Sequence, residues 1–486
     1  MEKLKFDNNK IYLSLILIII LAGVLMRILF YSYGRTFWID ECSLILNIIE
    51  GHNFFKNLMY AQAAPPLFMH LSQLIYRIGN FIGIKAEYSV RIFPLLSSIL
   101  ALPVFYLITK KVFNSKISIV LSLFLFTFNA KICYFSQEFK QYSSEVLFFI
   151  TIIAAYLYID IQKLTLNRKI LFGLLLGISI WFSNAAAVAS CAVGILLLIK
   201  TFKRELNWKS LLILMLPAAL CAVLYLIVMH DTFGNSYLHE YWTKHFIKWN
   251  FSNLYPILAG CSKYFFGRKI MPLILALIGF LFFAAEYKKE KNLILVLPFL
   301  ITLALSYLHI YPFGDRLILF LFPLIVIYIG KTTDELLSKN KYIGLAVACI
   351  VMLLSIYCFH TNYKQIIFKK YNEERVYDLL KISEQYVKPG DTIYLLAPSK
   401  NYKYYIRFFN FKDVKVIQYF ILLEEYNQQN FYKHLITLPK GKYYFLMAGP
   451  RKNLMIIPLE ILQHKYNGKL LYQDNKLNSI FYIEIK

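Results

Sequence analysis

The feature that most constrains this chain is a set of apolar runs, among them Leu13–Phe30, Val120–Phe128, Leu211–Met229 and Leu293–Leu305. The longest, Leu13–Phe30 and Leu211–Met229, approach the roughly 20 residues with which a helix crosses about 30 Å of hydrocarbon. In lipid a backbone must satisfy its own hydrogen bonds, which leaves helices and closed barrels. Runs this long and unbroken choose helices. The composition agrees: 58% of the 486 residues are hydrophobic and 17% charged, against about 45–50% and about 25% in soluble domains. A soluble enzyme, a nucleic-acid binder and a secreted disulfide scaffold are all disfavoured. The chain reads as a polytopic α-helical membrane protein.

The net charge of +25 tests that reading, because a soluble chain with this excess would suggest nucleic acid. The cations fall instead in short polar breaks: Lys3/Lys5/Lys10, Lys110/Lys111/Lys116, Lys163/Arg168/Lys169, Lys200/Lys203/Arg204/Lys209, Lys288/Lys289/Lys291 and Lys331/Lys339/Lys341. Basic breaks between apolar runs are what cytoplasmic loops carry, and they also suit anionic headgroups. Nucleic acid is discarded as a partner. The seven cysteines (42, 133, 191, 221, 261, 349 and 358) show no close C-x-x-C pair and sit mostly in or beside apolar runs, where cysteine behaves as a small hydrophobe. Leu13–Phe30 is too long for a signal-peptide core, and Arg27 stands where a cleavage site would need small residues. It is expected to be retained as the first helix. The Lys-, Ile-, Asn- and Tyr-rich usage suggests an AT-rich bacterial genome.

With the basic breaks inside, about eleven spans follow. Expected spans cover residues 11–31, 92–109, 117–131 and 143–160, a pair split at Ser183-Asn184, then 210–229, 270–285, 292–308, 317–330 and 342–359. Residues 1–359 form the transmembrane domain, with a large first external loop at 32–91. Two amphipathic stretches in that loop, 43–50 and 67–82, are expected to lie in the membrane interface. Residues 360–486 change character: a polar helical stretch (Glu373–Tyr386), a Pro389-Gly390 turn, and strand candidates at Thr392–Leu396, Val414–Tyr419, Tyr443–Met447 and Ile480–Ile485. They read as a small extracytoplasmic α/β domain. No internal repeat of the kind transporters often carry is evident.

Three polar groups fall on the external side. Asp40-Glu41 follows the first helix, and adjacent carboxylates resist joint ionisation in a low dielectric, so one of them is a candidate proton acceptor. A solvated loop acid or a helix N-cap is the plainer reading. Ser136-Gln-Glu138-Phe-Lys140-Gln-Tyr142 places an acid, a cation and a phenol on one short loop, where a structural ion pair is the plainer alternative. Tyr311-Pro-Phe-Gly-Asp-Arg316 aims an arginine from a tight turn, either towards lipid phosphate or as a fork for a substrate phosphate. His52 and His70 are lone histidines, read as loop residues and not as metal ligands. The aromatic segment Tyr237–Trp249 suits an interfacial belt better than a sugar platform.

Asp40-Glu41, then Gln62-Ala-Ala-Pro65-Pro66-Leu67-Phe68, then Glu87-Tyr-Ser-Val-Arg91-Ile-Phe-Pro94, then the 136–142 loop and the 311–316 turn resemble the GT-C membrane glycosyltransferases in order and sidedness. The protein O-mannosyltransferases and the lipid A aminoarabinose transferase belong to that group. The resemblance covers about residues 10–330. Ala64 stands where relatives often carry a charged or imidazole group. Lys140 replaces the more usual arginine, a point charge in place of a fork.

The resemblance implies a GT-C fold and an inverting transfer of sugar from a polyprenyl-phosphate donor to a glycan, lipid or protein acceptor. The setting is the extracytoplasmic face of a bacterial cytoplasmic membrane. Asp40 would be the base and Glu138 a second acid that places the acceptor or a metal. Glu41, Arg91, Lys140, Tyr142 and Arg316 would bind substrate, with Lys140 and Arg316 facing the phosphate. The metal is unassigned; Mg²⁺ or Mn²⁺ shared between one acid and the phosphate is the form it would take. The rivals are a flippase or transporter for a lipid-linked glycan, which should hold paired charges inside its spans, and a polymerase or ligase that moves whole oligosaccharides.

Overall fold

The computed structural model describes residues 8–248, 251–267, 269–367, 375–396, 399–418, 433, 435–448, 462–463, 466, 468–474 and 478–485. Helix α1 (Asn8–Ser32) is followed by α2 (Ile39–Ile49), α3 (Pro66–Phe81) and the short α4 (Ala86–Ser89). Then come α5 (Ile92–Val112), α6 (Lys116–Thr127), α7 (Ala130–Phe135), α8 (Tyr142–Tyr158), α9 (Leu166–Phe182), α10 (Asn184–Phe202) and α11 (Trp208–Phe233). The series continues with α12 (Ser236–Trp242), α13 (Phe251–Phe266), α14 (Met271–Ala285), α15 (Glu290–Tyr307), α16 (Phe322–Lys339) and α17 (Lys341–Ile367). Helices α18 (Val376–Ser383) and α19 (Ser399–Tyr405) lie among strands β1 (Thr392–Leu396), β2 (Lys415–Gln418), β3 (Gly441–Met447), β4 (Lys469–Gln473) and β5 (Ser479–Ile485).

Two compact units result, Met1–Tyr33 with Asn53–Phe368, and Gly34–His52 with Lys369–Lys486. In the first, every interval expected to span holds a helix. Among the described residues seven helical segments are long and apolar enough to cross a membrane, or eight with the bent pair Ala259–Phe266 and Met271–Ala285. Helices α6 and α8 are apolar but shorter; at 1.5 Å per residue, the 12 residues of α6 reach only about 18 Å. The pair split at Ser183 is present: its hydroxyl caps α10 by accepting from Ala186 N–H at 3.1 Å. The basic clusters from Lys110 onward fall at the turns α5–α6, α8–α9, α10–α11, α14–α15 and α16–α17, except Lys331, which is buried within α16.

Helix α16 runs through the middle of this unit, packed on α6, α14 and α17 and almost wholly buried. Small residues permit the closest approaches, as they do where lipid removes the hydrophobic drive between helices. A Cβ on Gly279 would meet the Tyr328 carbonyl oxygen at 1.8 Å, and one on Gly173 would meet that of Leu214 at 2.2 Å. Arg27 is fully buried. Its Nε donates to Ser98 Oγ at 2.8 Å, and its Nη1 donates to the carbonyls of Gly23 at 3.0 Å and Thr127 at 3.2 Å. It therefore ties α1 to α5 and to the end of α6 through neutral groups.

In the second unit the five strands form one mixed sheet in the order β2-β1-β3-β5-β4. Strands β2, β1 and β3 are parallel, with Thr392 opposite both Lys415 and Tyr443. Strand β5 runs antiparallel to β3 and to β4, and the β4 pairing shifts register between Leu470 and Tyr472. Tyr394, Leu396, Phe445, Met447, Phe481 and Ile483 build its core. Gly390 in the Pro-Gly turn has φ +90°, which glycine adopts without a Cβ clash. The β4 strand is an addition to the sequence reading; Tyr419, Glu373 and Glu374 lie outside the described residues. Helix α2 corrects an expectation. Its face is covered by protein: residues 41–48 are buried and the helix packs against α19.

Candidate active site

Asp40 and Glu41 occupy the first turn of α2, in the second unit. Glu41 is fully buried and reaches back to accept from Trp38 N–H at 3.4 Å, as a helix's third residue does in closing its N-terminus. Asp40, beside it, is half-buried. Both acids sit at the positive end of the helix dipole.

Arg91, Glu138, Lys140, Tyr142 and Arg316 belong to the first unit. Asn129 caps α7 by accepting from Lys131 and Ile132 N–H, and a tight turn then carries the chain through 136–141 into α8. Gln137, Glu138, Lys140 and Gln141 are all buried. Lys140 Nζ donates to Gln62 Oε1 at 2.6 Å, and Gln141 Nε2 donates to the Ala63 carbonyl at 3.4 Å. The segment that presents Gln62 is strained, with φ of 65° at Tyr60 and 51° at Ala61, a conformation that costs non-glycine residues about 1–2 kcal/mol each. Arg91 is buried at the start of α5, within electrostatic reach of Tyr31.

The 311–316 turn meets the 136–142 loop. The Arg316 guanidinium lies 5.9 Å from the Tyr142 ring centroid and 5.7 Å from that of Trp242, a cation held between two aromatic faces. Its backbone is pinned by Phe313 N–H, which donates to the His245 carbonyl at 2.9 Å, and by His245 Nε2, 3.3 Å from Asp315 Oδ2. Gly314 meets no special backbone demand in this turn. Its φ of −178° suits any residue, and the left-handed position is Asp315, at φ 46°. What requires glycine is the His245 ring, which a Cβ would meet at 2.4 Å. Gly314→Ala is accordingly expected to cost about 1–3 kcal/mol of stability. A lowered midpoint in thermal unfolding, partly restored by His245→Ala, would check it.

Two residues join the site that sequence reasoning passed over. Tyr264, near the end of α13, lies within electrostatic reach of Glu138, Tyr142, Asp315 and Arg316. Its hydroxyl is shielded from solvent and has no hydrogen-bond partner among the described residues. Lys131 Nζ sits 4.6 Å from the Tyr264 ring centroid. The unit thus gathers Lys131 and Arg316 with buried Glu138 and the Tyr264 hydroxyl, an arrangement suited to an anion with a polar neighbour. Among the described residues no three His, Cys, Asp or Glu side chains gather as a metal site. His70 packs against Phe54 and Phe55 at 5.0 and 4.6 Å between ring centroids, and its Nδ1 lies 2.8 Å from the Pro66 carbonyl. Trp249 lies outside the described residues.

This is the GT-C fold of membrane glycosyltransferases. ArnT from Cupriavidus metallidurans in the apo state is similar with a TM-score of 0.57 and 11% identity, over 96% of this chain and 97% of that one. The same protein bound to undecaprenyl phosphate is similar with a TM-score of 0.53 and 9% identity, over 97% of each chain. The Archaeoglobus fulgidus oligosaccharyltransferase in the apo form gives 0.52 and 13% identity, over 99% of this chain and 75% of that one. No protein-family model and no curated protein matches the sequence.

Proposed function

We propose that this protein is an inverting glycosyltransferase that moves a sugar from a polyprenyl-phosphate donor to an acceptor on the extracytoplasmic face of a bacterial cytoplasmic membrane. The observation that carries the reading is the Arg316 guanidinium against the Tyr142 and Trp242 rings, beside the loop that carries buried Lys140, in a GT-C fold, one similar structure of which holds undecaprenyl phosphate. Asp40 takes the proton of the acceptor hydroxyl. The acceptor oxygen attacks the anomeric carbon, the bond from that carbon to the phosphate oxygen breaks, and its electron pair leaves on the lipid phosphate. In-line displacement inverts the anomeric centre.

Lys140 and Arg316 stabilise charge that grows on the phosphate during this step. Tyr142 holds Arg316 in place by its ring, Glu138 orients the acceptor, Glu41 holds the turn that carries Asp40, and Arg91 contributes to substrate binding. No metal is needed for the balance, because phosphate is already a good leaving group. The sugar is a hexose or pentose, and the acceptor a glycan, lipid or protein. Binding of undecaprenyl phosphate to the purified protein in nanodiscs tests the donor assignment. Native mass spectrometry should show one lipid retained by the wild type. The variant Lys140→Ala/Arg316→Ala should bind at least about tenfold more weakly, since two charge-assisted contacts of about 1.5–3 kcal/mol are lost. Equal retention by both would contradict it.

A further inference from the structure

We infer that the C-terminal α/β unit positions the helix that carries Asp40, and that Tyr405 and Asn401 are the positioning residues. The inference rests on the reading of Asp40 as the base.

Residues 34–52 fold with 369–486, although α1 and α3 on either side of them in the chain belong to the other unit. Helix α2 lies against α19 and is tied to it at both ends. At the start, the Phe37 N–H donates to the Tyr405 hydroxyl at 2.5 Å, and the Phe37 carbonyl accepts from Asn401 Nδ2 at 3.3 Å. The Phe37 ring is fully buried, 5.4 Å from that of Tyr404. At the far end, Glu50 pairs with Lys403 at 2.7 Å and Arg407 at 3.7 Å.

Tyr405 and Asn401 are themselves buried, and α19 follows directly on the sheet through β1. Buried backbone groups must be paired, and local capping would normally serve for the residues before a helix. For Phe37, side chains 368 and 364 positions away serve beside the local Cys42 Sγ, 3.8 Å from its carbonyl. Phe37 lies three residues ahead of Asp40, so these two bonds set where the first turn of α2 begins and which way its carboxylate faces. The sheet is the base on which α19 stands, and α19 is the bracket. Two bonds from the C-terminal part of the unit then control the rate, because small errors in the placement of a base are costly.

The test uses the full chain reconstituted in lipid, with donor kinetics and thermal unfolding measured on the same preparations. Tyr405→Phe and Asn401→Ala should each lower kcat by about tenfold or more, with the donor KM within about twofold of wild type. Tyr443→Phe is the comparison, since its hydroxyl donates to the Pro439 carbonyl at 2.7 Å elsewhere in the same unit. It should lower the unfolding midpoint about as much while leaving kcat unchanged. If Tyr405→Phe and Tyr443→Phe lose activity alike, or Tyr405→Phe turns over like wild type, the positioning role is overturned. Asp40→Asn run in parallel separates the two readings. Full turnover there removes the base assignment and this inference with it, whereas an inactive Asp40→Asn beside a fully active Tyr405→Phe removes the positioning role alone.

Discussion

Asp40→Asn is expected to lower transfer by about 10²–10⁴-fold, the range a positioned general base contributes, with the donor KM unchanged. The substitution keeps the shape of the side chain and removes its capacity to hold a proton. Asp40 is half-buried in the first turn of α2, and the amide also gives up a helix-dipole contribution of about 0.3–1 kcal/mol. Glu41→Gln makes the contrast. Glu41 is fully buried and accepts from Trp38 N–H, and the amide oxygen of glutamine can accept the same bond. Steady-state kinetics on the two variants should therefore show a large loss for the first and a small one for the second. The reverse order would exchange their roles.

Arg316→Ala is expected to lower kcat by about 10²–10³-fold, the cost of removing one preorganised group that stabilises transition-state charge. Arg316→Lys should recover only part of this. The guanidinium stands between the Tyr142 and Trp242 rings, and a lysine ammonium keeps the charge but loses the planar fork and its stacking. Tyr142→Leu separates positioning from charge: it leaves Arg316 intact but removes one face of its cradle, and should fall between Arg316→Lys and wild type. Single-turnover measurements at saturating donor would isolate the chemical step. Equal rates for Arg316→Ala and wild type would remove the phosphate role.

The membrane-spanning part was legible because its signal is local. Apolar runs, basic breaks and the Ser183 hairpin each lie within a few residues of the structure they specify, and a span missing its neighbours still reads as a span. The α/β unit was partly legible for the same reason. Thr392–Leu396 matches β1 to the residue, and Pro389-Gly390 is a turn. Strand β4 was hidden because Lys469–Gln473 is short, half-exposed and interrupted by a register shift.

Of the candidate site, the residues with unusual chemistry for their surroundings were visible: Asp40, Glu138, Lys140 and Arg316. Tyr264 was not, because one tyrosine in a run as aromatic as Lys263-Tyr-Phe-Phe266 looks like packing. Nor was the home of α2. Its apolar face fits a membrane surface as well as it fits α19, and nothing near residue 37 records a bond to residue 405. Gly314 shows the same limit on a smaller scale. Its place in a Pro-Phe-Gly turn suggests a demand on φ, but the demand comes from the ring of His245.

The central claim is transfer from a lipid-phosphate sugar, and the most direct measurement is made on purified protein in liposomes. A panel of polyprenyl-phosphate monosaccharides is supplied with a membrane extract as acceptor, and released polyprenyl phosphate is quantified for wild type and Asp40→Asn. The account predicts release with at least one donor, dependent on acceptor and lost in the variant. Movement of a lipid-linked glycan across the vesicle, with no release from any donor, would contradict it and make the chain a flippase.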